Sequence, residues 1–171
     1  KARDGLMLGI CNGFQALIKL GLVPYGDIVD ATPDAPTLTF NTIGRHQSRL
    51  VRTRVASNLS PWLAKTEVGD MHTIAISHGE GRFVASDDML AQLKANGQIA
   101  TQYVDEAGVP GMDLSVNPNG SLLAIEGITS PDGRVFGKMG HSERYSNGTF
   151  KNVPGEKDQP LFAAGVEYFA A

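Results

Sequence analysis

The hydrophobic pattern near the start of the chain predicts a strand that runs directly into a helix. Residues 6–10 are short and uniformly apolar, which is typical of a strand buried on both faces of a parallel sheet. In residues 12–20 the apolar positions recur at helical spacing, and Gly21 followed by Pro24 supplies a stop. A buried strand that feeds a helix is half of an α/β unit.

Similar patterns predict further strands and helices along the chain. Residues 48–55 alternate between two sets of side chains and predict a strand with one solvated face. Ser86 is typical of a helix N-cap, and Asn96-Gly97 closes that short helix. Residues 30–41, with their prolines, predict a loop. The remaining strand candidates are residues 72–77, 82–85, 98–104 and 135–139, and the last helix candidate is residues 161–169. This order predicts a single α/β domain.

Length, composition and charge place the chain among ordinary globular domains. Its 171 residues, 42% of them hydrophobic and 19% charged, suffice for one domain with its own core. A net charge of -3 offers no overall attraction to nucleic acid or to an anionic membrane. No stretch approaches the roughly 20 apolar residues of a bilayer span, and residues 1–8 lack the pattern of a signal peptide. We therefore expect a cytoplasmic protein with no nucleic-acid or membrane partner. Because the chain opens at Lys1 without methionine, we also expect it to be part of a longer polypeptide.

The single cysteine, Cys11, stands at the predicted junction of strand and helix. One cysteine allows no intramolecular disulfide and suits a reducing compartment. Gly9-Ile10-Cys11-Asn12-Gly13 is the cysteine counterpart of the Gly-x-Ser-x-Gly nucleophile elbow, whose sharp turn is expected to require both glycines. We expect the helix N-terminus to lower the pKa of the thiol and the backbone N–H of Asn12 to face a developing oxyanion. A lone cysteine is often only a small buried hydrophobe, but the glycine pair favours a nucleophile.

A cysteine nucleophile needs a base, and His141 is the candidate among four histidines. Glu143 stands two residues after it, at the end of an extended segment, so both side chains are expected on the same side of the chain. Glu143 would then orient the imidazole, and His141 would shuttle protons in a Cys-His-Glu triad. The alternative is that the two residues are solvated surface groups, because spacing alone does not define a triad.

Other polar clusters carry less chemistry. His72, His78 and Glu80 match no standard zinc spacing, so we expect no metal site. The glycines around Glu80 form neither a Walker A loop nor a dinucleotide fingerprint, so nothing indicates that the chain itself binds a nucleotide. The arginines at positions 45, 49, 52 and 54 are typical of a solvated strand face.

Taken together, these motifs resemble a known family. Residues 9–15, Gly-Ile-Cys-Asn-Gly-Phe-Gln, and residues 141–144, His-Ser-Glu-Arg, are similar to those of class I (triad) glutamine amidotransferases. More narrowly, they resemble the glutaminase domain of phosphoribosylformylglycinamidine synthase (FGAM synthase), a purine-biosynthesis enzyme. Asn12 discriminates, because many other triad amidotransferases carry leucine there. Residues 78–82, 117–121 and 127–134 also look like this branch.

The resemblance implies a fold and a domain assignment. It implies a flavodoxin-like α/β amidotransferase fold, apparently lacking its N-terminal strands. Residues 1–171 would form one glutaminase domain, the C-terminal part of a larger synthase, and residues 146–171 a C-terminal extension with a short helix. An upstream amidotransferase segment, which supplies the second oxyanion donor in the family, would be a partner of this part.

The resemblance also implies a reaction. Cys11 would attack the side-chain amide of glutamine to give a thioester and ammonia, and water would release glutamate. Gln15 falls on the family position that contacts glutamine, and Gln47 and Ser48 loosely match the segment that holds its amino-acid end. No cofactor is expected in this chain. A synthetase domain, fused or separate, would use ATP and Mg to convert formylglycinamide ribonucleotide (FGAR) to its amidine (FGAM) with the ammonia.

Two other functions stay open at this point. One is a different cysteine-nucleophile hydrolase of the same architecture. The other is a catalytically silent module that docks on the synthetase, although the retention of Cys11, His141 and Glu143 together argues against it.

Overall fold

The computed structural model describes residues 4–146 and 148–170, which form a mixed α/β domain. Its strands are β1 (Met7–Ile10), β2 (Thr37–Phe40), β3 (Gln47–Val55), β4 (Met71–His78), β5 (Glu80–Val84), β6 (Ile99–Tyr103), β7 (Ile125–Thr129) and β8 (Val135–Lys138). Its helices are α1 (Asn12–Lys19), α2 (Leu22–Tyr25), α3 (Asp87–Ala95) and α4 (Leu161–Tyr168). Short 3₁₀ turns lie at Pro61–Leu63, Leu122–Ala124 and Ser142–Arg144.

Six of these strands form one sheet in the order β1-β8-β7-β6-β3-β4. The β1–β8 pair is parallel, and the pairs that join β8, β7, β6, β3 and β4 are antiparallel. The prediction that residues 6–10 are buried on both faces of a parallel sheet is therefore wrong in part. Within the described residues β1 lies at an edge, Met7 is 45% exposed, and Gly9 is its one buried residue.

A second correction concerns the predicted loop at residues 30–41. Thr37–Phe40 forms β2, which pairs antiparallel with β5 in a separate two-stranded ribbon. Leu38 is buried there, whereas Phe40 is exposed. Four residues are too few for a clear alternation signal, and the strand depends on a partner about 40 residues away.

The predicted helices are confirmed to within one or two residues. Helix α1 packs on β1 and β8 through the buried Phe14, Leu17 and Ile18. Gly137 on β8 permits this approach, because a Cβ there would collide with the Phe14 ring. In α3, the Ser86 hydroxyl accepts from the Met89 N–H at 3.3 Å and caps the helix as predicted.

The C-terminal helix α4 packs into the main body of the domain. Leu161 is fully buried in one apolar cluster with Val55, Leu63 and Phe136. Gly165 lies so close to Trp62 that a Cβ would collide with the indole ring. Within the described residues, no helix is both long and apolar enough to cross a membrane.

Candidate active site

Cys11 occupies a strained turn between β1 and α1. Its backbone lies at φ 54° and ψ -106°, a positive φ that is uncommon for a side chain with a Cβ. Its N–H donates to the Lys138 carbonyl at 2.8 Å, so the turn is fixed to the end of β8. A Cβ on Gly9 would lie 2.7 Å from the Gly13 carbonyl, which explains why glycine is required before the cysteine. The same expectation for Gly13 is wrong, because a Cβ there would meet nothing within 4 Å.

The Cys11 thiol is half-buried, and its environment differs from the sequence expectation. Burial raises the pKa of the thiol, while the Asn12 backbone N–H and the positive charge of Arg144 work against that rise and Glu143 adds to it. The predicted lowering of this pKa is therefore wrong in the resting state. A sulfur held largely as the thiol needs a nearby base before it can attack.

His141 and Glu143 form the contact that their spacing predicted. The imidazole Nδ1 lies 2.5 Å from Glu143 Oε1, and the His141 side chain is only 11% exposed. The backbone N–H of His141 donates to the Ala75 carbonyl at 2.8 Å. Its Nε2 is buried and has no hydrogen-bond partner among the described residues. The ring is thus oriented by a carboxylate that is itself 40% exposed, and its other nitrogen is buried, unlike the imidazole of a solvated surface pair.

The sheet brings Cys11 and His141 to the same end of the β1–β8 pair, the carboxyl end of both strands. Ile10 pairs with Lys138 across the parallel β1–β8 pair. Cys11 follows one strand end and His141 follows the other by three residues. Side chains that follow adjacent parallel strands meet at their carboxyl ends, where α/β folds place their sites. The electrostatic action of Arg144 and Glu143 on the Cys11 thiol agrees with this placement.

The three residues expected to bind glutamine contact the end of β4 and the start of β5. Gln15 on α1 donates its amide to the Glu80 carbonyl at 2.7 Å. Gln47 and Ser48 open β3 and pair with His78 and Ser77 at the end of β4. Gln47 Oε1 is buried without a hydrogen-bond partner among the described residues, and Ser48 is exposed.

Sequence reasoning missed the role of the β4 end. The Ser77 carbonyl lies 3.7 Å from the Cys11 sulfur, and the Ser77 hydroxyl lies 3.3 Å from His46 Nε2. Since Ser77 contributes a main-chain atom to the thiol, no side-chain motif could have indicated it.

His78 is another group whose role the sequence did not reveal. Its spacing raised only the question of a metal ligand, but its Nδ1 lies 3.1 Å from Asn41 Oδ1, and its ring fills the space left by Gly81. Burial, together with electrostatic interactions with the nearby His46 and His141 imidazoles, lowers the pKa of His78 to about 4. The buried His78 imidazole is therefore neutral at pH 7. Within the described residues, no three His, Cys, Asp or Glu side chains come together as a metal site would require.

Comparison with known proteins now identifies the family. The sequence profile of the CobB/CobQ-like glutamine amidotransferase domain matches residues 1–169. The chain belongs to this family. A chain in the solved structure of PurLQS from Thermotoga maritima superposes with a TM-score of 0.68 at 30% identity, covering 96% of this amidotransferase chain and 62% of that one. The fold is the flavodoxin-like class I glutamine amidotransferase fold, as predicted.

Curated relatives agree with this assignment. Phosphoribosylformylglycinamidine synthase subunit PurQ of Aquifex aeolicus (strain VF5) is 39% identical over 140 residues, which is 82% of this chain and 56% of the relative. The PurQ subunit of Synechococcus sp. (strain JA-2-3B'a(2-13)) is 35% identical over 99% of this chain and 65% of the relative. The amidotransferase chain thus spans between 56% and 65% of the length of these two relatives.

Proposed function

We propose that this chain carries the glutaminase reaction of phosphoribosylformylglycinamidine synthase in purine biosynthesis. The main support is the strained Cys11 thiol at the sheet edge that it shares with the oriented His141–Glu143 pair. The names of the PurQ relatives supply the particular pathway. Glutamine is the proposed substrate, and a PurL-type synthetase is the proposed partner, by analogy with the related PurLQS structure.

In the proposed mechanism, His141 Nε2 removes the proton from the Cys11 thiol. The sulfur then attacks the side-chain carbonyl carbon of glutamine, and the N–H of Asn12 donates to the oxyanion that forms. His141 returns the proton to the departing nitrogen, and ammonia leaves a γ-glutamyl thioester. Water, deprotonated by His141, hydrolyses the thioester to glutamate and regenerates the thiol.

Glu143 has an orienting role in this scheme. Its carboxylate accepts the hydrogen bond from the His141 Nδ1–H at 2.5 Å, which leaves Nε2 as the proton acceptor. It also stabilises the imidazolium that forms when the thiol loses its proton. Because burial raises the pKa of Cys11, this transient ion pair replaces a permanently ionised thiolate.

Glutamine would bind between α1 and the β3–β4 pair. We assign its contacts to Gln15, Gln47 and Ser48. Gln47 and Ser48 pair with His78 and Ser77 at the end of β4, where the Ser77 carbonyl contacts the sulfur, and Gln15 contacts the start of β5 at Glu80. We assign no cofactor to this chain. The ATP and Mg needed to convert FGAR to FGAM belong to the synthetase partner in this proposal.

The test is Cys11→Ala in the full-length enzyme. We expect glutamine-dependent FGAM synthesis to fall to background, while synthesis from added ammonium stays near the wild-type rate, because only nitrogen delivery is lost. The two rates are measured by product formation with each nitrogen source. Equal loss of both activities would contradict the assignment.

A covalent label separates the two alternatives. A diazo-ketone analogue of glutamine should label Cys11 of the wild type, and mass spectrometry should locate it there. A different cysteine hydrolase would react with general alkylating agents but not with this analogue. A silent docking module would release no glutamate even in the full-length enzyme with its synthetase.

A further inference from the structure

A buried ion pair of Lys138 and Glu126 contacts the two residues on either side of His141, and the proposed mechanism does not use it. Lys138 and Glu126 are both 0% exposed, with Nζ and Oε1 3.5 Å apart. Lys138 Nζ also donates to the Gly140 carbonyl at 3.0 Å and to the Ser142 hydroxyl at 2.8 Å. Glu126 Oε1 accepts from the Gly140 N–H at 2.5 Å, and its Oε2 accepts from the Thr101 hydroxyl. Both charges are thus paired and hydrogen-bonded.

These contacts hold the residue next to the histidine from both sides. The lysine binds the carbonyl of Gly140 and the carboxylate binds its N–H, so the two peptide planes that flank this residue are fixed. A Cβ at Gly140 would lie 2.8 Å from both Glu126 Oε1 and Ile74 Cγ2, so the backbone approaches the pair closely. The next peptide continues directly into His141.

Lys138 also holds the cysteine. Its carbonyl accepts the Cys11 N–H at 2.8 Å, while its side chain holds the segment that carries His141. One residue therefore links both halves of the proposed Cys-His pair. The Ser142 hydroxyl in turn donates to Gln159 Oε1 at 2.7 Å, which extends this hydrogen-bond network.

The cost of burying these charges argues that the pair has a purpose other than stability. Burial lowers the pKa of Lys138, while the nearby Glu126 carboxylate opposes that change. Well-packed apolar side chains of the same volume often stabilise a fold as well as a buried ion pair does, or better. An ion pair, unlike apolar packing, imposes directional hydrogen bonds on its neighbours.

We propose that Lys138 and Glu126 are positioning residues that fix the Gly140 peptide, and through it the imidazole of His141, relative to the Cys11 sulfur. This inference rests on the proposed glutaminase function. It assigns to the pair no contact with glutamine and no proton transfer.

Two double variants in the full-length protein test the hydrogen bond from the Gly140 N–H to Glu126 separately from the charges. Lys138→Met/Glu126→Gln keeps an amide oxygen that can accept from the Gly140 N–H. Lys138→Met/Glu126→Leu keeps no acceptor, and both variants bury no charge. We expect kcat for glutamine hydrolysis to be at least about 10-fold lower in the Leu variant than in the Gln variant, with KM for glutamine similar in both, since misplacement of a catalytic group by about 1 Å can cost 10²-fold.

The control is Thr129→Val, which removes a buried hydroxyl that has no hydrogen-bond partner among the described residues. It should keep the wild-type kcat. Equal kcat in the two folded double variants overturns the proposal, because a purely structural pair affects melting temperature but not the rate of folded protein.

A second variant keeps the proposal testable if the Leu double variant does not fold. Gly140→Ala retains both charges but forces the peptide away from Glu126 and Ile74. We expect about a 10-fold loss of kcat, and a wild-type kcat overturns the proposal. Gly111→Ala is the matched control, since its Cβ would make only ordinary contacts with Val116.

A readout without glutamine separates this inference from the proposed function. Iodoacetamide should label Cys11 more slowly in the Leu double variant than in the Gln double variant, and as slowly as in His141→Ala, because a displaced imidazole cannot take the thiol proton. Equal labelling in the two double variants counts against positioning. A wild type that labels normally but releases no glutamate counts against the glutaminase function alone.

Discussion

Among single residues, burial has its clearest effect on the protonation of Cys11 and His78. The Cys11 thiol is held in its protonated form by burial, against the action of the Asn12 N–H and Arg144. His78 is held neutral for the same reason, with His46 and His141 adding to the effect. The types of the reacting residues could be predicted from sequence, but their protonation could not, because desolvation depends on neighbours that are far apart in the chain.

The lowered pKa of His78 predicts how the free energy of unfolding depends on pH. Its pKa is about 4 in the folded protein and about 6.5 in an unstructured peptide, so the unfolded chain binds more protons between these values. The free energy of unfolding should therefore fall as pH falls from 6.5 to 4, by about 3 kcal/mol from this group, and the loss is complete below the folded pKa. His72, whose pKa burial also lowers, adds a loss of the same sign.

His78→Asn should flatten this dependence, since asparagine does not titrate. Urea unfolding of the wild type and the variant at pH 7.5 and pH 4.5 measures this dependence. The difference between their unfolding free energies at pH 7.5 gives the packing cost of the substitution. An unchanged loss of unfolding free energy between the two pH values would show that the pKa of His78 is the same in the folded protein as in the unfolded chain.

Among the helices and strands, local signals predict α1, α3, α4 and six of the eight described strands, but they do not predict the short strands β2 and β7. Helix α1 and the N-cap at Ser86 were predicted because caps, glycines and apolar spacing act within one or two turns. Strand β2 was missed because its pairing with β5 is not encoded locally. The sequence predicts the elbow as a motif, but close contacts require glycine only at Gly9 and not at Gly13.

The two glycines of the elbow predict opposite effects on stability. Gly9→Ala should destabilise the protein by about 1–3 kcal/mol, because the new Cβ would meet the Gly13 backbone at 2.7 Å and the Leu17 side chain at 2.5 Å. Gly13→Ala should stabilise it by roughly 0.5–1 kcal/mol, because the site is open and lies in a helix. Chemical unfolding of both variants measures the difference, and a destabilised Gly13→Ala would show that the first turn of α1 is crowded.

At the scale of the whole molecule, one sheet supports both the site and the C-terminal segment. The antiparallel strands β3, β4, β6 and β7 extend from the parallel β1–β8 pair, whose carboxyl ends carry Cys11 and the segment to His141. Helix α4 packs against this sheet through Leu161 and against Trp62 of the turn Pro61–Leu63 through Gly165. Helix α4, which lies in the segment predicted as an extension, therefore contributes to the common core.

The core position of α4 predicts a large and specific loss of stability. Leu161→Ala should cost about 2–5 kcal/mol, because the side chain is fully buried. Phe162→Ala on the same helix should cost little, because that ring is 50% exposed. Thermal unfolding of both variants is the measurement. A similar small cost for each would mean that α4 unfolds separately from the sheet.

Local sequence is enough to predict the elbow at Cys11, the His141–Glu143 contact and the helices α1, α3 and α4. These depend on residues within a few positions of one another, so backbone sterics and short spacings suffice to specify them. The antiparallel pairing, the raised pKa of Cys11 and the burial of Lys138 against Glu126 follow instead from the folded arrangement. Pairing and desolvation arise from groups distant in sequence, and only the folded chain brings those groups together.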